Sequence, residues 1–301
     1  MWTTFMAYVT AVIVFFSSLF GLPLNDGSVE NDGYTYKNIE YGHHERNLVD
    51  LYLPKDSDGE VGLILFIHGG GWKAGSKEEY VNVAPSYVEK YGCAVAALNY
   101  RYVSEIYDLY DLLDDIEDCL ARVKEISEEN RITLTGVLLT GGSAGGHLSM
   151  LYAYARKDTA PIEPKAVISN SGPADLTDEN LYHCNPDDSE DEIASLLSQA
   201  CGKRFGYENR AKAYDALMAV SPVAYVDAET VPTVINHGMK DTVVPFSIAL
   251  TIVSKLEECG VKHDFNIYPN SNHGLESDPE NAQIAEELFT EYVTTYLGAE
   301  K

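Results

Sequence analysis

The sequence predicts an α/β fold, a mostly parallel sheet of eight strands with helices on both faces. Runs such as Leu63-Ile64-Leu65-Phe66-Ile67 and Val137-Leu138-Leu139 are apolar throughout rather than alternately. That is the pattern of strands covered on both faces. Helix-length segments separate these runs in regular alternation, as a parallel sheet with crossover helices requires. About 270 residues follow the N-terminal segment, without a fixed-period repeat or low-complexity tract. One α/β domain fills that length.

The elements follow in order. Trp2 to Leu24 holds no charged residue, and Ala11-Val12-Ile13-Val14-Phe15-Phe16 is its apolar centre. Residues 1–24 read as a cleaved secretory signal. A membrane anchor is the main alternative, since a span needs about 20 apolar residues, and a buried N-terminal helix is a third. The expected location is secreted or extracytoplasmic, with any membrane contact through this segment alone. Residues 25–33 read as a polar linker and 34–301 as the domain. Strands near 34–41 and 49–53 are expected to form an antiparallel edge. Further strands are expected near 61–67, 93–98, 136–140, 165–169, 232–236 and 263–268. Helices are expected near 77–91, 107–127, 144–156, 207–219, 246–258 and 279–297. The last has Asp278 as N-cap and Pro279 at N1. Residues 175–215 interrupt the alternation.

Chemistry concentrates at the ends of the predicted strands. Gly141-Gly142-Ser143-Ala144-Gly145 follows the run ending at Thr140 and fits G-x-S-x-G. A sharp strand-to-helix turn holds a serine hydroxyl clear of the backbone, and small neighbours avoid clashes. The helix behind it presents free N–H groups to a developing negative charge. A plain glycine turn shows the same pentapeptide, so the pattern needs company. His68-Gly69-Gly70-Gly71-Trp72 follows another apolar strand and is the expected source of oxyanion-hole amides. The hole is assigned to the N–H groups of Gly70, Gly71 and Ala144. His68 is read as shaping this loop.

Two further residues complete a triad. Asp241 follows the strand-like Val231 to Asn236, and His273 follows Asp264 to Tyr268. Ser143 is the candidate nucleophile and His273 the base that returns its proton to the leaving group. Asp241 holds the imidazole tautomer. His237 precedes the acid and suits a structural turn. His147, within the helix after the serine, suits a core or capping role.

These segments resemble the α/β-hydrolase superfamily of serine esterases. The likeness is closest to its HGGGW group, with hormone-sensitive-lipase-like and acetylesterase or feruloyl-esterase-like members. Val49-Asp50-Leu51-Tyr52-Leu53-Pro54, Asn99-Tyr100-Arg101-Tyr102, Ser143-Ala144-Gly145-Gly146-His147-Leu148 and Ser171-Gly172-Pro173-Ala174-Asp175-Leu176 carry it, with Asp241 in HGxxDxxVP and His273 in NxxHG. The resemblance runs from about residue 34 to the C-terminus. It implies the α/β-hydrolase fold, a small cap at 175–215 that covers the serine, and chain order Ser, Asp, His. Gly142 stands where hormone-sensitive-lipase-like enzymes carry aspartate, which favours the second subgroup, whose members often act on plant-polysaccharide esters.

The formal net charge is −26. Nucleic acid needs a basic footprint and is excluded as a partner; polyanionic substrates are disfavoured. No C-x-x-C pair occurs among the five cysteines, so no metal is expected, and the chemistry needs no organic cofactor. Cys184 and Cys201 flank an acidic insertion. In an exported protein they form a disulfide of about 3 kcal/mol, or they remain two free thiols. Cys93 and Cys119 read as buried apolar positions. Asp187 to Glu192 reads as a solvated face without calcium-loop spacing.

The expected activity is hydrolysis of short-chain carboxylic esters, acetyl or feruloyl in type, on a small-molecule or carbohydrate alcohol, through an acyl-enzyme on Ser143. A small serine amidase or peptidase is the alternative, and an inactive binding protein a third reading.

Overall fold

The computed structural model describes residues 34–55 and 59–299. The signal or anchor expected at 1–24 and the linker at 25–33 lie outside them. All eight expected strands are present: β1 Thr35–Glu40, β2 Leu48–Tyr52, β3 Glu60–Ile67, β4 Ala94–Asn99, β5 Thr133–Gly142, β6 Pro164–Asn170, β7 Thr233–Gly238 and β8 His263–Tyr268. They form one sheet in the order β1-β2-β4-β3-β5-β6-β7-β8. β1 pairs antiparallel with β2, and β2 antiparallel with β4, which makes the expected edge. The remaining pairs are parallel.

Among the described residues seven α-helices accompany the sheet: α1 Val83–Tyr91, α2 Leu109–Glu129, α3 Ala144–Ala155, α4 Glu190–Ala200, α5 Tyr214–Met218, α6 Phe246–Glu258 and α7 Pro279–Leu297. Side chains alternate across a strand, so β3 feeds two cores. Leu63, Leu65 and Ile67 join the core under α2, α3 and α6, whereas Ile64 and Phe66 join the one under α1 and α7. Both faces of the central strands are therefore sealed, as their continuous apolar runs require.

The chain leaves β3 toward β4 on one side and returns from β4 to β5 on the other. The loops after β3 and β5 consequently lie side by side at the C-terminal ends of the strands. In open α/β sheets this switch point is where ligands bind.

Several details depart from the sequence reading. The helix expected at 77–91 is two pieces, a 3-10 turn at Lys77–Tyr80 and then α1. The helix expected at 207–219 is a 3-10 segment, Tyr207–Ala213, running into the short α5. The acidic insertion holds a full helix, α4, started by Ser189, whose Oγ accepts from Glu192 N while the Glu192 carboxylate accepts from Ser189 N. Asp278 is the N-cap of α7 with Pro279 at N1, as expected, and its carbonyl accepts from Ala282 N, but its carboxylate does not cap the helix; it accepts instead from Asn270 N, Asn270 Nδ2 and Ser271 Oγ. All five cysteines are free, so the disulfide alternative for Cys184 and Cys201 is not formed. Cys93 and Cys119 are buried, as expected. No helix among the described residues is long and apolar enough to cross a membrane.

Candidate active site

The turn after β5 is built on close backbone approach. Ile67, the last residue of β3, pairs with Gly141. Its carbonyl oxygen lies 1.9 Å from where a Cβ on Gly145 would stand and 2.3 Å from one on Gly141. Both flanking glycines are thus required by packing: any side chain there would push β3, β5 and α3 apart. Ser143 sits between them at φ 54°, ψ −122°. A residue with a Cβ pays roughly 1–3 kcal/mol to hold such a conformation. The turn is held from both directions, by Ser143 N donating to Asn170 O at 2.7 Å and His147 N donating to Ser143 O at 3.0 Å. Ser143 Oγ has no hydrogen-bond partner among the described residues, and the side chain faces a cavity.

The loop after β3 supplies the second wall. Gly70 has φ 101°, and its Cβ position would lie 2.3 Å from Ala74 O. The carbonyl of Gly70 is taken by Lys73 N and Ala74 N, which closes a tight turn. The N–H groups of Gly70, Gly71 and Ala144 find no acceptor among the described residues, and all three residues line the cavity with Ser143. His68 is fully buried and stacks on Tyr100 with centroids 4.1 Å apart. Its Nδ1 lies 2.8 Å from Gly69 O. Burial pushes its pKa down to about 3, which suits a neutral structural ring. Trp72 Nε1 donates to His147 Nδ1 at 3.3 Å, and His147 Nε2 reaches Val220 O at 2.9 Å. His147 thus ties the glycine loop to α3 and to the segment that follows the cap.

The acid and base come from the loops after β7 and β8. His273 Nδ1 lies 2.8 Å from Asp241 Oδ2, with both side chains almost fully buried. Asp241 Oδ1 accepts from Val243 N at 2.8 Å and Val244 N at 2.9 Å. Burial raises the Asp241 pKa, but the His273 charge and hydrogen bond, His237 and the Val244 amide outweigh it. The carboxyl stays below its ordinary range. The loop carrying His273 is fixed by Ser171 Oγ, which donates to His273 O at 3.1 Å, and by the Asp278 carboxylate on Asn270 and Ser271. His273 also lines the cavity, so the structure brings Ser143, His273, Asp241 and the three amide-bearing residues to one place. No hydrogen bond joins Ser143 Oγ to His273 in this form. Such bonds often tighten only when substrate binds.

The cavity has a volume of about 320 Å³. The segment 175–215 roofs it: Leu176, Leu181, Ile193, Leu196 and Leu197 form an apolar wall, and Asn185, Asp187 and Asp188 form a polar lip. The acidic run is solvent-exposed as expected, but two of its residues border the site. Cys184 also lines it, with burial pushing its thiol up to about 11. No group of three or more His, Cys, Asp or Glu among the described residues could hold a metal ion.

The sequence reading placed His237 in a structural turn but missed its contact with the acid, and it missed Glu79 as a site neighbour. His237 Nε2 lies 2.9 Å from Val244 O and 3.4 Å from Asp241 Oδ2, so it touches the acid as well as shaping the turn. Glu79 lines the cavity beside the glycine loop. Its signal was the pattern Ser76-x-x-Glu79, in which an N3 glutamate folds back on the N-cap amide.

The family description BD-FAE matches residues 49–256, which span both glycine motifs and Asp241. The chain belongs to the BD-FAE family. A protein of Mycobacterium tuberculosis named "Probable carboxylic ester hydrolase LipM" is 29% identical over 231 residues, covering 73% of this chain and 51% of its own length. The esterase LipQ of the same organism is 24% identical, covering 94% of this chain and 66% of its own length. The BD-FAE chain therefore spans about half to two thirds of the length of these relatives. Among solved structures, a truncated carbohydrate esterase from gut microbiota superposes with a TM-score of 0.70 at 22% identity, covering 88% of this chain and 99% of that one. The shared fold is that of the α/β-hydrolases.

Proposed function

We propose that the protein is a serine esterase that cleaves short-chain carboxylic esters, acetyl or feruloyl in type, through an acyl-enzyme on Ser143. The observation that carries this reading is the convergence on one cavity of a strained, unbonded serine, a carboxylate-held imidazole and three free amides. In this reading Ser143 Oγ attacks the ester carbonyl while His273 Nε2 takes its proton. The Asp241 carboxylate holds the Nδ1 proton, which leaves Nε2 as the free base and stabilises the imidazolium. The carbonyl oxygen becomes an oxyanion facing the amides of Gly70, Gly71 and Ala144. Collapse expels the alcohol, which takes the proton from His273. Water then repeats the cycle on the acyl-enzyme, releasing the acid and restoring Ser143.

The apolar wall from the cap suits a hydrocarbon or aromatic acyl group. The names of LipM and LipQ and of the gut carbohydrate esterase agree with an ester substrate. The test is a rate panel on p-nitrophenyl acetate, p-nitrophenyl octanoate, acetylated xylan and a feruloyl ester, each against Ser143→Ala. Serine-dependent release is the expected result. No turnover of any ester, or an aryl amide cleaved as fast as the matching ester, would overturn it.

A further inference from the structure

Glu79 has no role in the chemistry above, yet it stands inside the same cavity. Its position is fixed by local sequence. The 3-10 turn Lys77–Tyr80 begins at Ser76, and Glu79 Oε1 accepts from Ser76 N at 3.1 Å. That bond uses one carboxyl oxygen and sets the direction of the other. Oε2 has no hydrogen-bond partner among the described residues, and no lysine or arginine lines the cavity. Two charged neighbours share its turn: Glu78, which repels it, and Lys77, whose Nζ is taken by Asp50 and Glu78. The nearby His68 ring is buried and neutral. A largely desolvated carboxyl with a free acceptor oxygen is costly unless a donor meets it.

The ester supplies that donor. An acetyl group carries no O–H, and the leucine and isoleucine wall of the cap suits the hydrocarbon part of an acyl group, so in an acetyl ester the hydroxyl comes from the alcohol portion. We propose that Glu79 is a specificity-determining residue whose free carboxyl oxygen accepts a hydrogen bond from a hydroxyl of the bound alcohol, selecting esters of polyhydroxylated, sugar-class alcohols. The inference rests on the esterase reading of the site. Burial pushes the Glu79 pKa up to about 7, so the group is not a permanent anion near neutral pH. Both of its protonation states can accept from a hydroxyl.

The test compares a mono-acetylated methyl xyloside having free hydroxyls with the same ester fully O-methylated elsewhere. Acyl group, ring and leaving oxygen are identical, and the hydroxyls alone differ. The parent should favour the free-hydroxyl ester in kcat/KM by about tenfold or more, and Glu79→Gln should reduce that ratio toward unity. Gln keeps the oxygen that Ser76 N requires, so the turn survives. A ratio unchanged by Glu79→Gln would overturn the proposal, as would a parent ratio near one. Calorimetric binding of the uncleaved free-hydroxyl ester to Ser143→Ala, with and without Glu79→Gln, gives a readout independent of turnover. Weaker binding by about fivefold or more in the double variant supports the role, and equal binding overturns it. Parent protein inactive toward p-nitrophenyl acetate, yet showing this binding difference, would sink the esterase reading and leave Glu79 as a hydroxyl-binding residue.

Discussion

Replacing Ser143 with glycine should make the protein more stable than replacing it with alanine, although both variants lose the nucleophile. Ser143 holds φ 54°, ψ −122°, a conformation that roughly 1–3 kcal/mol of strain opposes in any residue with a Cβ. Alanine keeps the Cβ and therefore the strain. Glycine removes it, but gains freedom in the unfolded chain worth about 0.5–1 kcal/mol. The net difference is about 1 kcal/mol in favour of glycine. Nothing else should differ, because Ser143 Oγ makes no hydrogen bond and does not cap α3. At about 2–4 °C per kcal/mol for domains near this size, Tm should be about 3 °C higher for Ser143→Gly than for Ser143→Ala. Calorimetry at one pH and protein concentration reads this directly. A glycine variant no more stable than the alanine variant would show that the turn is not strained, and the argument from backbone geometry to a poised nucleophile would fail.

Other expectations follow from the same structure. Ser143→Ala and Asp241→Asn should each lower kcat by about three to four orders of magnitude; retention of activity within tenfold of the parent by Ser143→Ala, in a p-nitrophenyl acetate assay, would dismiss the triad. Gly145→Ala would place a Cβ 1.9 Å from Ile67 O, so it should cost about 3 kcal/mol or leave the protein insoluble, and a urea midpoint equal to the parent's would refute that packing. Glu79→Gln should gain stability relative to the parent as pH rises. The parent's folded state holds this proton up to about pH 7, against 4.5 for an ordinary glutamate, so between those values the folded state binds more protons and its stability falls with pH. At about 1.4 kcal/mol per pH unit the difference accumulates to about 3 kcal/mol, and a gap between parent and variant that is flat from pH 4.5 to 7.5 would count against a desolvated carboxyl.

The sheet was legible because its strands are apolar on both faces. Val137, Leu138 and Leu139 have no polar side to expose, and all three are fully buried. The loops bearing Ser143, Gly70, Asp241 and His273 were legible because strand ends and glycines mark where chemistry can sit. What escaped depends on partners distant in sequence. Asp278 holds the N-cap position that Pro279 marks, yet tertiary contacts draw its carboxylate away from the helix to Asn270 and Ser271. The helix α4 had a capping-box start in Ser189 and Glu192 and apolar residues Ile193, Leu196 and Leu197 at helical spacing. The high charge of its first turn reads only as a solvated face, while its apolar stripe faces the cavity. The 77–91 segment has helical content throughout, but Tyr80 and Val83 both pack under the sheet, and the break at Val81 and Asn82 lets each piece reach it.

The unfavourable features gather where the chemistry is proposed. Ser143 carries backbone strain, three amides lack acceptors, and Glu79 holds a carboxyl without a cation. His237 Nδ1 is buried without a partner, directly behind the acid that its other nitrogen touches. Each would be selected against in a domain built for stability alone, since each costs free energy that a simple substitution could recover. The His237 nitrogen does not line the cavity, whereas the amides, the His273 imidazole and Glu79 would all be answered by an ester at the switch point of the sheet. Its oxyanion would satisfy the amides, its proton traffic would engage His273, and a hydroxyl on its alcohol would meet Glu79. Two rigid constraints keep these groups in register without it. The Ile67 carbonyl locks the serine turn against the glycine loop, and the Asp241 carboxylate, held by the Val243 and Val244 amides, locks the imidazole. Catalytic groups fixed in this way need no reorganisation when charge develops, and that is where most of an enzyme's electrostatic advantage lies. The cap's part is different: its apolar residues line the cavity, and no hydrogen bond from the Leu181, Ile193 or Leu197 side chains holds the acid or base. Changes at Leu181, Ile193 or Leu197 should therefore alter which acyl group is accepted while leaving the geometry of Asp241 and His273 intact.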